Sequence, residues 1–378
     1  MTSTRIDVTG RLVLDDRVTA GRLVIEDGAI VGVEADDDVR GASGPYVAPG
    51  FVDLHVHGGG GHDAMGGPTA LDGMARHLIR RGVTSFLPTA VTTPIGELVR
   101  FADIVRDWLP GSPADGAAPL GFNLEGPFLS EARRGAHDRA ALRSPADVPR
   151  AELEPLLDGL RIVTIAPELP GAAELIGWLR EQGVTVSLGH SGATVAESRS
   201  GYAAGATSTT HLFNAMSGFD HRAPGLAVAA LLDDDVFVEL IADGLHVDRA
   251  LWPLIIRLKP ADRLLLVSDA IALAGVGDGR LRVGGLEVEV KGLRATLAGT
   301  TTLAGSVIGL DDAVSELVDS GLSLPSAVAA ASRNPLALLG IVDRGRIGVG
   351  QRADLVELDA DLRVRRVMRA GEWVVDLR

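Results

Sequence analysis

Eight short apolar runs, each followed by a stretch with helical spacing, fill the middle of this 378-residue chain. They lie at 51–55, 84–88, 120–124, 161–165, 184–188, 207–211, 236–241 and 263–267. Runs this short suit buried strands, and strands alternating with helices pair in parallel. Between them, Leu71, Met74 and Leu78 share one helical face, as do Leu98, Ala102 and Val105. Segments 173–182 and 194–204 stop at Gly183 and Gly205, the residue type that best ends a helix. Eight parallel strands close a barrel. The expected fold class is therefore α/β, a TIM-like (β/α)8 barrel.

Both ends read differently. Short β-like pieces at 6–8, 11–14, 22–26 and 29–33 are matched by others at 354–358, 364–369 and 371–375. Neither end carries enough apolar surface for a core of its own. The expectation is a small β-sandwich built from 1–48 and 345–378, beside a barrel at 49–344. Residues 283–297 resemble a β-hairpin inserted after the eighth strand, near 281–299.

Composition excludes several classes. Hydrophobic residues at 46% and charged residues at 23% rule out global disorder. With no cysteine, disulfides, thiolate metal sites and cysteine nucleophiles are impossible. The start has no apolar signal-peptide core and no run is long enough to span a bilayer. A cytoplasmic enzyme without membrane contact is expected. A net charge of −14 opposes generic nucleic-acid binding, so an anionic ligand needs a local basic pocket.

The chemistry gathers at strand ends. Five of the nine histidines follow a predicted strand: His55 and His57 the first, His190 the fifth, His211 the sixth and His246 the seventh. Glu125 ends the third strand, Glu168 follows the fourth and Asp269 ends the eighth. In a barrel these ends form one face, where active sites are built. Imidazole and carboxylate suit Zn²⁺ and similar divalent ions. His55 and His57 are two apart on a strand and so point the same way. His190 and His211 can hold the same ion or another, Glu125 can bridge, and Asp269 can bind metal or take a proton from water at it. Alone, an H-x-H pair is weak; the joint pattern is not. Glu168 reads as a supporting carboxylate and His77 as a helix-surface residue, while His62 and His221 stay unassigned.

Two other readings fail. His57-Gly58-Gly59-Gly60 and Gly189-His190-Ser191-Gly192-Ala193 approach the oxyanion loop and nucleophile elbow of serine hydrolases. The elbow's last glycine is Ala193, however, and no histidine follows His246 to complete a triad. Phosphate-loop and dinucleotide glycine motifs are absent.

The stretches Asp53-Leu54-His55-Val56-His57, Glu125-Gly126-Pro127-Phe128, Gly135-Ala136-His137, His211-Leu212-Phe213-Asn214-Ala215-Met216 and Leu303-Ala304-Gly305 stand in order along the chain. With them the sequence resembles the amidohydrolase superfamily and, inside it, the N-acetylglucosamine-6-phosphate deacetylase family. That resemblance implies deacetylation of N-acetyl-D-glucosamine 6-phosphate in amino-sugar catabolism and cell-wall recycling, usually by a homodimer. It implies Glu125, His190 and His211 as metal ligands, with His55 and His57 open to a second ion. It implies Asp269 and His137 as catalytic groups. It implies substrate contacts at Ala136, His137, Asn214, Ala215, Arg222, Asp243, His246, Leu303, Ala304 and Gly305, with Arg222 and His246 at the phosphate and Arg222 able to act in the neighbouring subunit. Neither Lys259 nor Lys291 fits the superfamily's bridging lysine, a role that falls to Glu125. Alternatives are an amidohydrolase acting on another N-acyl amino sugar, a dipeptide or a cyclic amide, and a non-catalytic sugar-phosphate binder. Asp269 speaks against the binder, which needs no carboxylate beside a metal.

Overall fold

The computed structural model describes residues 5–36 and 44–378. The parts of the expected terminal domain at 1–4 and 37–43 lie outside them. Eight parallel strands follow one another around a barrel: Phe51–Val56, Val83–Ala90, Phe122–Glu125, Leu160–Ile165, Thr185–Leu188, Ser208–Thr209, Phe237–Leu240 and Leu264–Leu266. Each sits on one of the eight apolar runs. Every residue of the first two strands is buried, as parallel strands covered on both faces require.

The seam between the eighth and first strands is held by single bonds. The Asp269 amide donates to the His55 carbonyl at 2.9 Å, and the Ser268 hydroxyl to Asp53 Oδ2 at 2.6 Å. Burial pushes the Asp53 carboxyl up to about 6 against the hydrogen bonds it accepts from the Ser268 hydroxyl, the Ser268 amide and the His55 amide. The seam therefore lies directly under two of the residues expected at the site, His55 and Asp269.

The flanking helices bury the expected faces. Pro68–Arg80 packs Leu71, Met74 and Leu78 inward, and Ile95–Trp108 packs Leu98, Ala102 and Val105. Val195–Ala204 opens on a capping box between Thr194 and Glu197, which satisfies two otherwise orphaned backbone donors.

The chain termini meet in one seven-stranded sheet. Its order runs Glu372–Asp376, Val364–Arg369, Leu355–Leu358, Tyr46–Pro49, Arg5–Val13, Val18–Glu26, Ala29–Asp36. The sheet folds over on itself. Ala29 and Arg352 form a β-bridge, and a Cβ on Gly371 would stand 2.7 Å from the Gly28 Cα. Leu12, Leu23, Ile30, Leu355 and Met368 fill the space between its wings. After the eighth barrel strand, Gly279–Val283, Leu286–Lys291 and Arg294–Leu297 form an antiparallel sheet of three strands, one more than a hairpin. Its apolar face, with Val288 and Val290, packs on Ile271 and Ala304 and roofs the barrel mouth.

Candidate metal centre and active site

Glu125 is the hub of the barrel mouth. Its Oε1 lies 2.9 Å from Nε2 of both His190 and His211, and those two nitrogens are 3.0 Å apart. Its Oε2 lies 3.2 Å from His57 Nε2 and 3.2 Å from His137 Nε2. Asp269 Oδ1 stands 3.1 Å from His57 Nε2 and 3.7 Å from His55 Nε2. All these residues are at least nine-tenths buried.

The backbone aims these side chains by turning sharply at the strand ends. His190, His211 and Asp269 have φ of 47°, 22° and 49°. Left-handed backbone costs a non-glycine residue of order 1 kcal/mol or more and concentrates at functional sites. Gly189 permits the first of these turns, because a Cβ there would stand 2.0 Å from Thr210 Cγ2. Glu168 then ties the turn down, accepting from the Ser191 hydroxyl and the Gly192 amide, both at 2.6 Å.

Hydrogen bonds on the far side of each ring sort the histidines. His57 Nδ1 is 3.1 Å from the Thr89 carbonyl and His190 Nδ1 is 2.9 Å from the Arg133 carbonyl. A carbonyl only accepts, so each Nδ1 carries a hydrogen and each Nε2 is free to bind an ion. His137 is the reverse. The Thr92 amide donates to its Nδ1 at 3.3 Å, which leaves the hydrogen on Nε2, pointing into the site. Burial lowers the His137 pKa and so favours this neutral ring.

Two sets of three donors share Glu125: Glu125 with His190 and His211, and Glu125 with His55 and His57. Ligands about 2.0 Å from a tetrahedral zinc-sized ion stand about 3.3 Å apart. The 2.9–3.0 Å edges of the first set come close to that. The His211 Nδ1 and His55 Nε2 atoms have no hydrogen-bond partner although buried. Donor chemistry and spacing both fit a divalent metal.

Charges balance locally. Burial works against ionisation of Glu125, but the His55 charge and the hydrogen bond from His137 hold its carboxyl well below the usual range. Burial likewise opposes Asp269, yet a hydrogen bond from His57 brings it to about 2. Burial lowers His57, but Asp269 and Glu125 outweigh this and raise it to about 9. Without metal, His57 is therefore protonated below about pH 9. An ion needs the neutral ring, so filling the His55–His57–Glu125 group near neutral pH is expected to release at least one proton. Affinity at that group accordingly rises with pH up to at least about 9. Calorimetric titration in buffers of different ionisation enthalpy measures the release; heats that do not depend on the buffer would contradict it.

The cluster forms the floor of a cavity of about 360 Å³, within the range of small-molecule sites. His57, Glu125, His137, His190, His211 and Asp269 reach it, as do Ala136, Asn214, Ala215, His246, Leu303, Ala304 and Gly305. His55 lies beneath the floor with no exposure. Asp243 does not line the cavity but sits behind His246, accepting from its Nδ1 at 2.7 Å. Arg222 is exposed on the loop before helix Leu226–Leu232 and is outside the cavity lining. His77 is half-buried against Gly59, Gly60 and Gly275 instead of lying free on its helix, and burial draws its pKa down to about 4.

Sequence reasoning passed over Arg133 and Glu239. Arg133 supplies the only guanidinium among the residues that line the cavity. Its signal was a place two residues before the Gly135-Ala136-His137 stretch. Glu239 is a carboxylate inside the fully apolar neighbourhood of the seventh strand, an anomaly visible in Phe237–Leu240.

The amidohydrolase family model matches residues 46–374. The chain belongs to the amidohydrolase family. It is 40% identical to the N-acetylglucosamine-6-phosphate deacetylase of Bos taurus, over 99% of this chain and 94% of the relative. It is 37% identical to the N-acetylgalactosamine-6-phosphate deacetylase of Escherichia coli O157:H7, over 95% of each. A solved mutant of the Mycobacterium smegmatis N-acetyl-D-glucosamine-6-phosphate deacetylase, in complex with N-acetyl-D-glucosamine-6-phosphate, superposes with a TM-score of 0.90 at 36% identity. That match covers 98% of this chain and 100% of the other. This amidohydrolase thus shares both the barrel and the terminal sheet with proteins of that group.

Proposed function

We propose that this amidohydrolase hydrolyses the acetamide of N-acetyl-D-glucosamine 6-phosphate to D-glucosamine 6-phosphate and acetate. The observation that carries the reading is that Asp269, beside His57, and His137, beside Glu125, both reach one cavity floor with the metal-ligand group. Glu125, His190 and His211 hold a divalent metal, for which we infer Zn²⁺. A bound ion of that kind supplies Lewis acidity and makes water acidic enough to ionise near neutral pH.

Asp269, ionised at neutral pH, takes a proton from the attacking water as its oxygen joins the acetamide carbon. His137 points its Nε2–H at the carbonyl oxygen as a hydrogen bond that strengthens while negative charge develops there, and keeps its proton. Asp269 then passes the proton to the leaving nitrogen, the C–N bond breaks, and acetate and the free amine separate. The sugar is steadied by Asn214 and Ala215 on one side of the cavity and by Leu303, Ala304 and Gly305 on the other, with Ala136 beside them. Asp243 aligns His246 toward the phosphate. Arg133 adds the cation that this chain itself brings to the cavity. Arg222 reaches a phosphate only across an interface between two copies, in keeping with a homodimer.

Losing a hydrogen bond to a charged group costs about 1.5–3 kcal/mol, or roughly 10- to 150-fold. Arg133→Ala is therefore expected to raise KM for the phosphorylated sugar by roughly this factor and to leave kcat nearly unchanged. An unaltered preference over unphosphorylated N-acetylglucosamine would remove Arg133 from the phosphate site.

The galactosamine relative supports a second reading, the 4-epimer as substrate. Acetate release from both amino-sugar phosphates, with metal analysis of the same sample, tests the whole proposal. Acetate from neither would overturn it. Among the described residues no helix is long and apolar enough to cross a membrane.

A further inference from the structure

Glu239 is a carboxylate 1% exposed, carried on the seventh barrel strand, Phe237–Leu240. Its ion-pair partner is His55, not an arginine or lysine. Its Oε2 accepts from the Thr210 hydroxyl at 2.8 Å and the His211 amide at 3.2 Å, and lies 3.1 Å from His55 Nδ1. Burying a carboxylate without a cation is expensive, and the acetamide chemistry makes no use of this one.

An ionised carboxylate only accepts. His55 Nδ1 therefore carries a hydrogen toward Glu239, and Nε2 is the atom left to bind an ion. That Nε2 is buried without a hydrogen-bond partner. It faces Glu125 Oε1 at 3.5 Å and Asp269 Oδ1 at 3.7 Å, two more acceptors. His57 Nε2 stands on the same space, 3.1 Å from Asp269 Oδ1 and 3.2 Å from Glu125 Oε2. Two ring nitrogens and two carboxylates around one buried point are the donor set of a divalent cation. His57 is oriented by a neutral carbonyl and His55 by a full charge, the stronger of the two devices.

We propose that Glu239 is a positioning residue: it holds His55 with Nε2 turned toward the His57–Glu125 group, so that binding of an ion at that group depends on Glu239. The inference builds on the metal-hydrolase reading but does not depend on which sugar is the substrate. Outer partners of metal-bound histidines contribute about 10- to 100-fold in affinity.

Metal-free full-length protein is titrated with Zn²⁺ by calorimetry and with Co²⁺ by visible absorption, with elemental analysis of the products. The wild type is expected to take two equivalents. Glu239→Gln keeps size and hydrogen bonding but lacks the charge. It is expected to retain the first equivalent unchanged and to weaken the second by about 10- to 100-fold, with loss of the second Co²⁺ absorption component. His55→Asn should remove the same equivalent, and the double variant should lose nothing more. The proposal is overturned if the wild type binds one ion, if Glu239→Gln binds two with wild-type affinity, or if both sites weaken together, as a merely structural role would make them. These titrations contain no sugar. Absence of acetate release would sink the deacetylase reading and leave the metal count standing.

Discussion

Asp269→Asn is expected to lower the turnover number for acetate release by about 10³- to 10⁴-fold, the upper part of the range for losing a general acid–base group. The substitution keeps the size of the side chain and the backbone of the turn. Asparagine tolerates left-handed backbone, which this position adopts at φ 49°, and the Asp269 amide bond to the His55 carbonyl does not involve the side chain. Metal at Glu125, His190 and His211 should be retained, because Asp269 is not in that set. What disappears is a carboxylate held at about 2, ionised throughout the working range and able to pass a proton from water to amine. Single-turnover assays with parallel metal analysis give the measurement. Activity within tenfold of wild type would transfer the proton role to another group.

Glu125→Gln is expected to remove both metal and activity. Both candidate ion sites count Glu125 as a member, so one substitution strips the charged ligand from each. Its carboxylate also counterbalances the raised His55 and His57 and stands within 3.5 Å of His137, His190 and His211. Removing one partner of a buried charge network costs about 3–5 kcal/mol, so the metal-free variant should also unfold at lower urea than metal-free wild type. Elemental analysis should find less than a tenth of the wild-type metal, with turnover down by roughly 10³-fold or more when metal catalysis is lost. Retention of a full metal complement would refute the placement of Glu125 at the hub.

Much of this protein was legible in one dimension. The barrel strands sit on the apolar runs because a parallel strand covered on both faces has no polar positions to interrupt it. The ends of helices Ala172–Glu181 and Val195–Ala204 fall beside the glycines that stop them. The His55–His57 pair points one way because side chains alternate along a strand. The insertion was harder. The first inserted strand, Gly279–Val283, alternates charged and apolar residues over only five positions and lies almost wholly before the 283–297 segment that reads as a hairpin.

Residues whose importance comes from contact with something distant were the ones missed. Glu239 and Arg133 carry no motif. One matters because its carboxylate meets a ring 184 positions earlier, the other because its backbone carbonyl orients His190 while the residue lines the cavity. The resemblance implies Arg222 at the phosphate, able to act in the neighbouring subunit; its loop carries it to the exposed surface of this chain.

The linear order of residues by itself determined which strands form, where they end, and that imidazoles and carboxylates stand at those ends, because propensity and periodicity act over a few neighbours. Only the tertiary structure decided which nitrogen of each ring faces the centre. The Thr89 and Arg133 carbonyls, the Glu239 carboxylate and the Thr92 amide make that choice from 32, 57, 184 and 45 positions away. A proton sits on whichever ring atom has an acceptor beside it, and that neighbour exists only after the barrel has closed.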